Sequence, residues 1–234
     1  MISEAKKYFD ENGYVVIKNF IKPEMFCLLY EYMKMKARRE LIKEISPKSS
    51  HLYDKELDGK FDDKQSPGSF SLYGDPLMDS LLQNSTNFIS NIIEVDLIPT
   101  YSYWRLYITD NVLEKHIDRP SCEYSTTLCI GYDASNIKEK DYNWPIYIRS
   151  FKGEVKSVML KPGDMVVYKG CDVEHWRDVY KGLNHAQVFL HYNEKDGKYN
   201  TLYDGRPMLG LPKETDDFKV NEDKEVEGPR KVIY

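Results

Sequence analysis

Apolar side chains in the first part of the chain recur mostly at helical spacing. Ala5, Tyr8 and Phe9 share one face of a helix expected over residues 2–11. Asn12-Gly13 ends that pattern, and Tyr14-Val15-Val16-Ile17 follows as an aromatic, β-branched strand. A second helix is expected after Pro23, over about 24–45, with Met25, Leu28, Leu29, Tyr32 and Met33 near helical spacing and charges opposite. Over 46–75 the periodicity lapses. Ser, Lys, Asp and Gly dominate there, punctuated by Pro47 and Pro67. This segment reads as a solvated loop, with a lid over a site as the alternative. Helical spacing returns over 76–93.

Beyond that point the period shortens to two. Strands are expected at about 101–108, 124–132, 145–151, 155–160, 165–168 and 186–192. Lys161-Pro162-Gly163-Asp164 is a turn with a mechanism, because Pro sets φ at its second position and Gly supplies positive φ at its third. Helices followed by many modest strands predict an α+β chain whose core is an antiparallel sandwich or jelly roll. One domain over 1–234 is expected: a helical part at about 1–95, a strand-rich core at about 96–195, and a tail at about 211–234 dense in Lys, Glu and Asp.

Composition narrows the function classes. The chain has 234 residues, 41% of them hydrophobic, enough for one substantial core. Aromatic residues make up 13%, with 19 tyrosines, which suits a β-rich domain holding a partly polar cleft. A net charge of −5 supplies no basic field to recruit nucleic acid or an anionic membrane, so neither is an expected partner. Cys27, Cys122, Cys129 and Cys171 form no C-x-x-C pair or disulfide ladder, and no secretory apolar stretch opens the sequence. A reducing, cytoplasmic setting is the expectation. No apolar run approaches a membrane span.

Against this background His116-Ile117-Asp118 carries chemical content. On a strand, side chains two apart share a face, so His116 and Asp118 can converge on one ion while Ile117 packs away. His175, arriving from a later strand, completes two imidazoles and a carboxylate. That set holds iron(II) on one face and leaves the opposite positions free, whereas thiolates favour zinc, copper or clusters.

The order of these features resembles a family. Residues 12–20, then 107–118, then Leu160-Lys161-Pro162-Gly163-Asp164-Met165 leading to His175, resemble the iron(II)- and 2-oxoglutarate-dependent dioxygenases, in their prolyl 4-hydroxylase-like branch. The resemblance implies a double-stranded β-helix core with the N-terminal helices packed on one sheet, and His116, Asp118 and His175 as metal ligands. Implied cofactors are Fe(II), 2-oxoglutarate as co-substrate and O2, with ascorbate as an accessory. The implied reaction couples oxidative decarboxylation of 2-oxoglutarate to hydroxylation of a C–H bond. A prolyl residue in a peptide or protein is the first expected substrate; a small metabolite or free amino acid is the alternative.

The far carboxylate of 2-oxoglutarate needs a buried partner. The family places a basic residue nine or ten positions beyond the distal histidine, where this chain has Asn184 and His185. Candidates for the co-substrate pocket are therefore His185, Gln187 on the same strand face, Arg177, Arg105, Tyr107 nine residues before His116, and Tyr124 and Thr127 on the strand after Asp118. Arg119 could face the mouth, and Asp178 could pair with Arg177. His191 reads as structural, and His51 carries little. Of Trp104, Trp144 and Trp176, at least two are expected in the core. Two other classes stay open: a jelly-roll binding module without catalysis, and a zinc hydrolase, which lacks an H-E-x-x-H helix.

Overall fold

A computed structural model describes residues 3–46, 48, 50–138 and 141–213. The expected charged tail therefore lies outside the described residues from residue 214 onward. Helix α1 (Glu4–Asn12) starts at Ser3, whose side chain accepts from Lys6 N, and stops at Gly13 with φ 79°. Strand β1 (Tyr14–Ile17) follows, then α2 (Pro23–Ile45). The buried stripe of α2 is Leu29, Met33, Ala37 and Glu40. Met25 and Leu28, expected on that face, are exposed.

The segment at 46–75 is not all loop. It holds a short helix α3 (Lys55–Asp58) and strand β2 (Phe70–Tyr73), which pairs antiparallel with β3 (Leu97–Ile108). Four residues between irregular flanks give too short a run for periodicity to register, so only the partner strand reveals β2. Helix α4 (Pro76–Ile93) is capped by Asp75. The remaining strands are β4 (Leu113–His116), β5 (Tyr124–Asp133), β6 (Ile146–Arg149), β7 (Val155–Val158), β8 (Met165–Lys169), β9 (His175–Arg177) and β10 (Asn184–Glu194).

They form two antiparallel sheets, one in the order β1-β8-β5-β10-β3-β2 and the other β4-β9-β6-β7. From β3 onward the chain crosses repeatedly between them. Val188, Leu190, Tyr192, Trp104 and Leu128 of the larger sheet pack with Met33 of α2 and Leu82 and Ile89 of α4 in one apolar cluster. The opposite face meets the smaller sheet through Tyr14, Cys129, Val166 and Tyr168 against Ile146, Ile148 and Val158. Helices thus cover one face of the larger sheet and the smaller sheet covers the other, an α+β arrangement.

The Lys161–Asp164 turn forms as expected: Asp164 N donates to Lys161 O at 2.8 Å, and Gly163 has φ 90°. A Cβ at Gly163 would also lie 2.7 Å from Ile21 O. Trp104 and Trp144 are buried, whereas Trp176 lies on the outer face of the smaller sheet, stacked on Tyr147 beneath Lys115. Among the described residues no helix is long and apolar enough to cross a membrane.

One buried ion pair ties the helical layer to the strands. Asp79 of α4 accepts from Ser102 N (2.8 Å) and Ser102 Oγ (2.6 Å) of β3, from Arg206 Nη1 (2.9 Å) and from Gly210 N (2.7 Å). Removing the carboxylate strands a guanidinium out of water. Asp79→Ala is expected to cost ~3–5 kcal/mol in urea unfolding. The double variant Asp79→Leu with Arg206→Met, which removes both charges, should lose markedly less.

Candidate metal centre and its cleft

His116 is the last residue of β4 and pairs across to His175, the first of β9. Asp118 lies two residues beyond the end of β4 rather than on a strand, with its N–H donating to Gly170 O (2.8 Å). The alternation survives this departure, because Ile117 points outward, 54% exposed, while its neighbours turn in. The two imidazole rings lie 4.3 Å apart. His116 Nε2 is 3.6 Å and His175 Nε2 3.5 Å from the same oxygen, Asp118 Oδ1. Donor atoms of all three residues lie within 4.8 Å of one another. The backbone sets the tautomers. His116 Nδ1 donates to Glu114 O (2.6 Å) and His175 Nδ1 to Val173 O (3.1 Å), so both Nε2 lone pairs face the carboxylate.

The second carboxylate oxygen is held separately. Ser125 Oγ donates to Asp118 Oδ2 (2.7 Å), and the same hydroxyl lies 2.9 Å from His191 Nδ1. A Cβ at Gly170 would fall 2.5 Å from Asp118 Oδ2, so only glycine allows this approach. Burial alone would raise the Asp118 carboxyl, but His175, His116, His191 and Ser125 outweigh it and hold it down to about 2. Burial likewise pulls against protonation of His116, yet the Asp118 and Glu114 contacts leave it raised. His175, fully enclosed, is lowered by burial.

The cleft above this cluster has a volume of about 440 Å³. Alternate residues of β3, Tyr101, Tyr103 and Arg105, form one wall, with Phe189 and His191 of β10. Two distant segments close the mouth. Asp63, from the stretch expected to be loop, accepts from Arg105 Nη2 and Tyr103 Oη, while Gln65 Oε1 accepts from Arg105 at 3.2 Å. Asp204 accepts both terminal nitrogens of Arg119 (2.8 and 2.6 Å) and the Tyr73 hydroxyl (2.8 Å). Arg119 thus faces the cleft as a paired group.

Tyr107, Arg105, Thr127, Gln187, His185 and Arg177 are all buried. His185 stacks on Tyr132 and contacts Tyr142, Cys129 and Gln187. Tyr124 does not reach the cleft. It has the opposite parity on β5 and stacks on Phe9 of α1, at 6.2 Å, in the helix-side core. Asp178 points away from Arg177, toward the Tyr147 hydroxyl, because adjacent strand residues face opposite sides. His191, read as structural from sequence, lies in the cleft wall and supports Asp118 through Ser125. Ser125 was within reach of parity: it shares the face of Thr127. Asp63 and Asp204 had no sequence signal, since both reach the cleft by long-range folding.

No protein-family model matches the sequence. No curated protein matches it either. Solved structures do match, and they include members of the 2-oxoglutarate–Fe(II) oxygenase family. A Pseudomonas putida prolyl-4-hydroxylase is 14% identical, with a TM-score of 0.59 over 83% of this chain and 99% of that one. EctD from S. alaskensis with bound Fe is 12% identical, with a TM-score of 0.61 over 90% of this chain and 83% of that one. HygX from Streptomyces hygroscopicus, solved with nickel, 2-oxoglutarate and hygromycin B, is 12% identical, with a TM-score of 0.57 over 84% and 89%. At these identities the likeness is one of fold.

Divalent-metal binding, measured by equilibrium dialysis, should weaken by at least ~100-fold in His116→Ala, Asp118→Ala or His175→Ala, and by only ~10-fold in Ser125→Ala, which removes a supporting contact. Protons compete with metal for His116. Its raised affinity for a proton means that metal affinity should fall as pH is lowered through the range just above the ordinary imidazole value.

Proposed function

We propose that this protein is an Fe(II)- and 2-oxoglutarate-dependent oxygenase that hydroxylates a small polar molecule. The observation that carries the reading is the convergence of His116 Nε2 and His175 Nε2 on Asp118 Oδ1 at the floor of an open cleft. Two imidazoles and one carboxylate suit iron(II) without saturating it, and no thiolate joins the three. The two sheets fit a double-stranded β-helix: the chain alternates between β8-β5-β10-β3 and β4-β9-β6-β7, and the ligands cluster at one end. Helices, sheets and straps would then serve one catalytic unit.

His116, Asp118 and His175 would hold the iron, and the buried side chains of Tyr107, Thr127, Gln187, Arg105 and Arg177 are the candidates for holding the co-substrate. The bound iron and 2-oxoglutarate would supply the oxidising power, with release of succinate and carbon dioxide. The chain's own contribution is positional. Ser125 and His191 fix the carboxylate ligand, the backbone carbonyls of Glu114 and Val173 fix the imidazole tautomers, and Tyr101, Tyr103 and Phe189 exclude water from the cleft.

Substrate size follows from the mouth. The volume of about 440 Å³ suits a small ligand. The Asp63–Arg105 pair and Arg119, held by Asp204, stand in the cleft wall and narrow the room for an extended peptide. The fold likeness to HygX and EctD, whose structures were solved with hygromycin B and 5-hydroxyectoine respectively, supports a small substrate. The likeness to a prolyl-4-hydroxylase keeps a prolyl residue as the second reading.

Protein purified without oxygen, then given iron(II), 2-oxoglutarate and air, is expected to release succinate, with the rate falling to background in His116→Ala. Small polar compounds should stimulate turnover more than proline-containing peptides do. Metal-loaded protein that yields no succinate with any candidate would favour the non-catalytic binding module instead.

A further inference from the structure

Arg177 is buried between the sheets behind the cleft lining, 2% exposed, and no carboxylate among the described residues pairs with it. Nη1 donates to Trp144 O (3.0 Å), and the guanidinium lies 4.5 Å over the Trp144 ring. Nε and Nη2 have no hydrogen-bond acceptor among the described residues. The groups that face it are Tyr107, Cys129, Tyr142 and Tyr168, with His185 beside them. None supplies a negative charge: burial pushes the Cys129 thiol up to about 12 and the Tyr168 phenol well above its usual range. A guanidinium does not shed its proton in a protein, and an unpaired buried cation is among the costliest groups a fold can hold. The compensating charge therefore has to come from a ligand.

The place of Arg177 says which ligand. It stands two residues beyond His175 on β9, on the same face, so one strand repeat of about 6.6–6.9 Å separates them along the strand. Its cross-strand partner Leu113 lines the cleft that opens on the metal ligands. Thr127, also buried, lies one repeat along β5 from Cys129, with its hydroxyl beside the Tyr168 phenol. The rival cations are already accounted for. Arg105 is engaged by Asp63, Gln65 and the Tyr107 hydroxyl. His185 is enclosed, and burial together with Arg177 drives it to the neutral form.

We propose that Arg177, carried on the same strand as the distal metal ligand, receives the far carboxylate of a 2-oxo dicarboxylate co-substrate whose 2-oxo acid end chelates at His116, Asp118 and His175. This assignment rests on the iron and 2-oxoglutarate reading above. It makes Arg177 the residue that selects a diacid over a monoacid, with Thr127 as an added donor. No basic residue on β10 is then needed, which accounts for the neutral Asn184-His185 pair on that strand.

Binding, rather than turnover, tests it. Manganese(II)-loaded protein is titrated calorimetrically with 2-oxoglutarate and with 2-oxopentanoate, which keeps the chelating end and lacks the far carboxylate. Wild type should prefer 2-oxoglutarate by at least ~30-fold, and Arg177→Met should erase that preference while binding manganese and 2-oxopentanoate as before. Arg177→Lys, which keeps a charge without the planar fork, should retain part of the preference, and His185→Asn all of it. An undiminished preference in Arg177→Met or Arg177→Lys would overturn the assignment, as would its loss in His185→Asn or its absence from wild type. Manganese binding that survives unchanged in His116→Ala would instead remove the iron reading, and this assignment with it.

Discussion

The pleat of β10, the strand with β5 on one side and β3 on the other, divides the protein into its two environments. Ala186, Val188, Leu190 and Tyr192 enter the apolar layer beneath α2 and α4. Their alternates His185, Gln187, Phe189 and His191 enter the space between the sheets. The same parity runs through β3, where Trp104 and Leu106 face the helices while Tyr101, Tyr103, Arg105 and Tyr107 face the cleft. A slip of one residue would exchange the two sets, placing arginine and histidine under the helices and leucine at the metal ligands. Register is therefore the constraint on which both stability and chemistry rest. The bulges at Ala186/Gln187 and His191/Tyr192 each skip one residue of the neighbouring strand and exchange its parity there, so Leu97 lies on the helix side while Tyr132 stacks on His185.

That arrangement concentrates charge in a place that ordinarily excludes it. The cleft manages the cost by drawing partners from remote parts of the chain. Asp63 meets Arg105 from the segment after α2, and Asp204 meets Arg119 from beyond β10. Asp118 is balanced by the imidazoles around it and by Ser125. Each of these carboxylates has a counterpart, and each pair also builds a wall. Arg177 departs from the rule, since two of its guanidinium nitrogens have no acceptor. That unmatched buried cation is the observation on which the role proposed for Arg177 rests.

Much of this was legible in the sequence, and the limits are physical. Local rules read α1, β1 and the Lys161–Asp164 turn directly, because a cap, a β-branched run and a Pro-Gly pair act within a few residues. His116, Asp118 and His175 were legible from order and spacing, and they converge as expected. Parity was legible in principle but misapplied at Tyr124, which faces α1, while Ser125 on the correct face went unnoticed. Strand β2 and the carboxylates of Asp63 and Asp204 were not legible. Their roles depend on partners about 30 to 131 residues away, and neither period nor composition records such a pairing.

Carrying the proposed metal ligand and the proposed anion anchor on one strand would have a mechanical consequence. His175 and Arg177 are separated by a fixed repeat of the backbone, so their spacing does not depend on how the sheets sit relative to each other. A co-substrate held at both ends would be aligned by β9 alone, with β4 adding His116 across the same ladder. The interior face of β10 is then released from charge pairing. It carries instead a neutral histidine stacked among Tyr132, Tyr142 and Trp144, a packed aromatic end to the cleft where water is excluded. On the role proposed for Arg177, the departure at position 185 would be one half of an exchange: the charge sits on β9 rather than β10, and aromatic packing takes its place.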